Sequence, residues 1–242
     1  PLLSNGVITP EEIKDLNVTV FSSHSHRDHY MPSVFDWKKS VPNIHYVMGF
    51  KPDKIEESLY TFLGPRKVKK INGMKIITIE SNDSGVGFYV RVDGVDIFHS
   101  GDHANRKRDF SGPFAKEIDF LAAKGLQPDI FFAPVSGCGF GDQVAVRKGV
   151  YYTVKKLAPK TLFPMHGGGE RLADFVLQAK KAGLKKKVSC PLIGGDWFFV
   201  SQGKVKKARV ENVKLMVKHL AKLEAAENKK SCKTKKSCKS GS

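Results

Sequence analysis

The chain has 242 residues, 40% hydrophobic and 27% charged, which excludes wholesale disorder and a fibrous or collagen-like architecture. This length buries a sizeable core and fits one domain, or one domain with an appendage. The formal charge of +17 is shared unequally: residues 1–200 hold 28 Lys+Arg and 21 Asp+Glu, net +7, while residues 201–242 hold 13 and 3, net +10.

The sequence opens at Pro1 without Met and without a charged-then-apolar leader, which reads as a processed chain or a fragment. Residues 17–22 (NVTVFS) form a β-branched run that predicts a strand, and residues 32–39 a short helix. Further strands are expected at 44–48, 75–79, 87–92 and 95–99. Asp93-Gly94 lies between the last two, a hairpin signal because such turns need positive φ at both central residues. Residues 106–125 read as a helical or irregular crossover. From 129 the order becomes β-α-β-α: a buried strand at 129–134, a helix at 142–157, a strand at 161–164 and a helix at 170–182 that Gly183 stops.

Residues 197–200 and 204–208 flank Gln202-Gly203 as a last hairpin, closing a main domain over 1–209. Residues 210–227 form an amphipathic helix, with Val213, Met216, Val217, Leu220 and Leu223 at helical spacing. Residues 228–242 are a Lys/Ser/Cys tail that reads as solvated and disordered. No apolar run, the longest being 130–135 and 197–200, approaches the roughly 20 residues of a membrane-spanning helix. The four cysteines, Cys138, Cys190, Cys232 and Cys238, make neither a Cys-x-x-Cys metal site nor a disulfide framework, which points to a reducing, cytoplasmic location.

Chemistry concentrates directly after the first strand, where His24, His26, Asp28 and His29 fall within six residues. Imidazole nitrogens and a carboxylate suit Zn²⁺, Fe or Mn²⁺, and a loop leaving a rigid strand can bring all four onto a metal pair. This His-x-His-x-Asp-His pattern resembles the signature of the metallo-β-lactamase-fold hydrolases. The resemblance continues through Phe98-His99-Ser100-Gly101-Asp102, Pro134-Val135-Ser136-Gly137 and Leu162-Phe163-Pro164-Met165-His166-Gly167, from about residue 17 to 168. Among the subfamilies it is most similar to the stand-alone hydrolases that include ascorbate-6-phosphate lactonase.

The resemblance implies an α/β fold, the four-layer αββα sandwich. It also implies two divalent metal ions, Zn²⁺ first, with Fe or Mn²⁺ as alternatives. His24 and His26 would hold one ion, Asp28, His29 and His166 the other, and Asp102 would bridge them. The family's further histidine for the first ion has no counterpart, and Asp83 stands as its replacement. His45, the other histidine in that interval, falls in a predicted strand and takes a structural role, while His103 is placed beside the ligands and His219 in solvent. Gly137, Gly167 and Gly168 are candidate substrate contacts.

A metal-bridging hydroxide would then attack a small ester, lactone, thioester or phosphoester, with Asp28 orienting it or relaying its proton. A nuclease of the same fold and a non-catalytic metal- or nucleic-acid-binding module are the competing readings, the basic tail offering the nucleic-acid contact. Only 23 residues precede His24, so the first strands of the sandwich are expected to be missing, with a partner copy as one way to cover the gap.

Overall fold

The computed structural model describes residues 6–136, 139, 141–184, 188–191, 195–201 and 204–208. The expected helix over 210–227, the tail with Cys232 and Cys238, His219, Gly137, Cys138 and the Gln202-Gly203 turn lie outside the described residues.

Two sheets and two helical layers make the body. The smaller sheet is parallel, in the order β1 (Val18–Ser22), β2 (Ile44–Met48), β3 (Thr61–Phe62), so β1 is its edge among the described residues. The larger has six strands in chain order: β4 (Val68–Ile71), β5 (Met74–Glu80), β6 (Val86–Val92), β7 (Val95–His99), β8 (Ile130–Pro134) and β9 (Thr161–Met165). β4 to β7 are antiparallel neighbours, whereas β7, β8 and β9 run parallel. The change follows from the connections. Two-residue turns join β4–β5 and β6–β7, while helices α2 (Phe114–Ala123) and α3 (Gln143–Leu157) carry the chain across to β8 and β9.

Alternation along the strands sorts side chains into layers. On β5 and β6, Ile77, Ile79 and Tyr89 face a core shared with Ile118 and Leu121 of α2, Val150 and Leu157 of α3, and Phe175 of α4 (Gly169–Lys181). Their neighbours Met74, Ile76, Val86, Phe88 and Val90 face the opposite way and meet Val47, Leu63 and Phe21 between the sheets. The outer side of the small sheet packs Ile44, Tyr46 and Met48 against Ile13 of α1 (Pro10–Ile13), Val41, Phe35 and Trp37. The layers are therefore helix, sheet, sheet, helix, the expected sandwich.

Local chemistry accounts for the boundaries. Asp93 and Gly94 both have positive φ (50° and 75°), as the Asp-Gly hairpin requires. The Asp142 carboxylate caps α3, accepting from the Val144 and Ala145 amides at 2.9 and 3.3 Å. Residues 32–39 form a 3₁₀ helix rather than an α-helix. The three-residue period aligns Val34 with Trp37, so both reach the small sheet. Beyond the sequence expectation are α1, a 3₁₀ turn at Glu57–Leu59, β3, β4, and the restriction of the 106–125 crossover to a ten-residue helix, α2. His45 lies on the exposed side of β2 rather than in the core. β10 (Trp197–Ser201) and β11 (Lys204–Ala208) pair antiparallel as a separate hairpin.

Candidate metal centre

Four chain segments bring ligand-type side chains together at one end of the sheets. β1 ends at Ser22, and its continuation is held from both sides, with Gly49 N–H donating to Ser22 C=O (2.8 Å) and Val86 N–H to Ser23 C=O (3.1 Å). The loop then turns on itself. His29 and Tyr30 N–H both donate to His26 C=O at 2.9 Å, and the Ser22 hydroxyl donates to His29 C=O at 3.0 Å. Asp102 follows β7 through Gly101, whose φ of 56° makes the turn, and His166 follows β9 with a left-handed φ of 62°, uncommon for a residue with a side chain. Asp83 sits in the turn between β5 and β6. That turn is fixed by Asn82, which exchanges hydrogen bonds with the Ala104 backbone (2.7 and 3.1 Å) and donates its N–H to His103 Nδ1 (3.2 Å).

The side chains form two groups, His24, His26, Asp83 and Asp102 in one and Asp28, His29 and His166 in the other, with candidate donor atoms within 4.8 Å of one another in each. All seven residues proposed from the sequence are thus brought together. Asp102 joins the groups. Its carboxylate lies 3.0 Å from His29 Nε2, 3.1 Å from His166 Nε2 and 3.8 Å from His24 Nε2. Asp28 reaches the second group at 3.2 Å from His166 Nε2 and 3.5 Å from His29 Nε2. Asp83 Oδ2 lies 3.3 Å from His26 Nδ1.

Electrostatics agree with a site built for cations. Burial alone pushes the Asp102 carboxyl up, but hydrogen bonds to His166 and His29 hold it well below the usual carboxylate range. His166 is pushed up to about 9, chiefly by its hydrogen bond to Asp102, so the carboxylate draws positive charge into the centre. His24 is buried, which pushes its pKa down. Its Nε2 has no hydrogen-bond partner among the described residues. A buried imidazole nitrogen without a partner, aimed at a carboxylate, costs free energy unless something positive lies between them. A divalent ion meets that need, and the donor set of imidazole and carboxylate suits one.

Two cavities open on the centre. One, about 550 Å³, is lined by residues of both sheets, Phe21, Phe88, Val90 and Phe132 among them, together with Asp28, His29 and His99. The other, about 520 Å³, lies over His166, Gly167, Gly168 and Arg171, which places two of the three candidate substrate-contact glycines at an opening of the site. Residues without a site role in the sequence reading, His99 being set aside there as a strand residue, complete the surroundings. Ser23 and Ser136 hold imidazoles, His99 borders both cavities, and Arg106 donates to Asp83 Oδ1 at 2.6 Å.

A family model described as a beta-lactamase superfamily domain matches residues 8–166, a span that contains both ligand groups. Among curated proteins none matches this sequence. Among solved structures the chain is similar to CmlA, a diiron β-hydroxylase from Streptomyces venezuelae, at 10% identity and a TM-score of 0.54, over 79% of this chain and 45% of CmlA. It is also similar to the metallo-β-lactamase fold protein YhfI from Bacillus subtilis, at 11% identity and a TM-score of 0.49, over 78% and 77% of the two chains. A Thermotoga maritima protein assigned as a Zn-dependent hydrolase of the metallo-β-lactamase superfamily aligns at 18% identity and a TM-score of 0.39, over 55% of this chain and 67% of that one. The chain spans less than half the length of CmlA, and at these identities the likeness is one of fold.

Proposed function

The chain belongs to the metallo-β-lactamase superfamily, and from that premise we propose that it is a metal-dependent hydrolase of a small ester, lactone, thioester or phosphoester. His24, His26 and Asp83 would hold one divalent ion, Asp28, His29 and His166 a second, and Asp102 would touch both. When bound, such ions lower the pKa of a water toward neutrality and polarise the scissile oxygen. The chain's own part is to place and discharge. Asp28, more than half exposed beside His166, is positioned to orient the attacking water and accept its proton. The cavity over Gly167 and Gly168 admits the polar end of a substrate, and the apolar cavity beside β1 leaves room for a longer arm.

One observation carries this reading: a single buried carboxylate, Asp102, faces imidazoles of both groups. Zinc is the first candidate, and iron the second, since three carboxylates are hard donors and CmlA is a diiron enzyme. A cytoplasmic location is part of this proposal, on the sparse cysteines of the sequence and their lack of a Cys-x-x-Cys pair. Within the superfamily we place the chain near the ascorbate-6-phosphate-lactonase-like hydrolases, on the motif spacing.

The test is elemental analysis of the purified protein joined to a screen of lactone, thioester and phosphoester substrates. Two ions per chain are expected, with turnover lost on chelation and restored by Zn²⁺. Asp102→Ala or His26→Ala should abolish hydrolysis while the chain still melts cooperatively. Retained turnover in either variant removes the assignment.

A further inference from the structure

The first ligand group contains two carboxylates, Asp83 and Asp102, among its four members. An additional anionic ligand changes both the charge of a metal site and the number of oxygens it offers, because a free carboxylate can bind through one atom or two. Asp83 is not a free carboxylate. Arg106 donates Nη2–H to its Oδ1 at 2.6 Å, while the other oxygen, Oδ2, faces His26 Nδ1 at 3.3 Å. The two oxygens are therefore divided between a guanidinium and the ligand group.

Arg106 is well placed to keep that division. It lies four residues beyond Asp102, in the loop after β7. Its neighbour Asn105 is buried and anchored by donating Nδ2–H to Lys107 C=O (2.8 Å) and Ala145 C=O (2.9 Å). The guanidinium also donates Nη1–H to Gly139 C=O at 3.3 Å, so one side chain ties the Asp83 turn to the loop after β8. Asn82, next to Asp83, is itself held by His103 and the Ala104 backbone. Asp83 is thus fixed from its main chain on one side and from its Oδ1 on the other.

We propose, on the basis of the metal-centre reading above, that Arg106 is a positioning residue that makes Asp83 a one-oxygen, charge-compensated ligand and so favours an ion of the zinc type at the first position. With Oδ1 occupied by Arg106, Asp83 offers a single donor atom, as an imidazole does, and the guanidinium cancels the charge that a carboxylate adds. Zinc is satisfied by few donors, imidazole nitrogens and single carboxylate oxygens among them, whereas Mn²⁺ and similar hard ions gain from extra oxygens and uncompensated negative charge. Releasing Oδ1 shifts the balance toward the harder ion.

The test measures Zn²⁺ and Mn²⁺ affinity on the full-length, metal-stripped protein by competition with a chromophoric chelator, in the wild type, Arg106→Met, Asp83→His and the double variant. Arg106→Met should narrow the preference for Zn²⁺ over Mn²⁺ by about tenfold or more, the scale on which residues supporting a metal ligand act, and Arg106→Lys, which keeps the charge, should restore it in large part. In the Asp83→His background the sign should reverse: there the guanidinium faces an imidazole without an anion between them, so Arg106→Met widens the preference for Zn²⁺ over Mn²⁺. An effect of the same sign and size in both backgrounds, or no effect, overturns the proposal. Wild-type protein that binds neither ion removes the metal centre and this inference with it, whereas metal binding indifferent to Arg106 removes the inference alone.

Discussion

Three imidazoles turn their Nε2 atoms inward because their Nδ1 atoms are already engaged. The Ser23 hydroxyl lies 2.9 Å from His24 Nδ1 and 3.4 Å from His29 Nδ1, and His166 Nδ1–H donates to Ser136 C=O at 2.7 Å. Such contacts fix ring orientation and the inward nitrogen, and losing one typically costs 10–100-fold in metal affinity. Ser23→Ala should therefore weaken Zn²⁺ binding by about that factor, read by chelator competition, with little change in melting temperature. His103 shows a different dependence. It is 1% exposed, its Nε2–H donates to Phe114 C=O (3.1 Å), and its Nδ1 accepts from Asn82 N–H, so it is held neutral. Burial pushes its pKa down from 6.5 to about 4. The folded state thus binds fewer protons than the unfolded one in this window, and its contribution is complete above pH 6.5 and lost as pH falls toward 4. That loss is on the order of 3 kcal/mol, and denaturant melts between pH 7 and 4.5 should show a slope that His103→Gln flattens. At this scale the sequence displays the candidate ligands, because His24, His26, Asp28 and His29 fall within six residues and Asp102 and His166 follow apolar runs. What Ser23, Ser136 and Arg106 do was not legible. Their roles depend on which segments meet, and Arg106 finds Asp83 across 23 residues of chain.

At the scale of elements, the loop with the histidines is clamped by a backbone crossing that only glycine permits. Gly85 has φ of 61°, and a Cβ there would lie 2.0 Å from Ser23 C=O, beside the Val86 N–H that donates to that same carbonyl. Gly85→Ala combines a left-handed φ, worth about 1–3 kcal/mol, with a clash against backbone. It should lower the melting temperature by roughly 5–10 °C and displace His24, so metal content falls with it; a variant with native melting and full metal content contradicts the crossing. The long elements were read correctly because their periods are strong, α3 within one residue at its start, where Asp142 is the cap. β4 was missed, although Asn72 and Gly73 have φ of 49° and 79° and make the same kind of tight turn as Asp93-Gly94. Its four residues, Val68 to Ile71, are mostly exposed and half lysine. Without an apolar alternation the turn had no recognisable strand on its near side.

For the molecule as a whole, charge and chemistry separate. The centre lies in the moderately basic body, whereas net +10 falls in residues 201–242. If that segment contacts nucleic acid, retention on a DNA or RNA column should fall steeply with salt and disappear when residues 228–242 are deleted, while metal content stays the same. The four-layer order was legible as a class, but the meeting of the two sheets was not, because it is set by side chains far apart in the chain such as Phe21 of β1 and Phe88 of β6, whose ring centroids lie 5.2 Å apart.

The contiguity of His24, His26 and His29 has a thermodynamic consequence. His24, His26 and His29 do not need the fold to be near one another, so in the proposed metal centre the denatured chain would keep all three within six residues and retain affinity for zinc. A ligand that binds both states stabilises by less than one that binds only the native state, for which excess at 100 times Kd adds about 2.7 kcal/mol. Zinc should therefore raise the melting temperature by less than its native-state affinity implies, and excess zinc should flatten the response rather than extend it. Calorimetry over graded Zn²⁺ measures this directly, and the shortfall should vanish in a chain whose ligands are dispersed. The motif that makes the site easy to find would thus make a bound metal a weak folding staple.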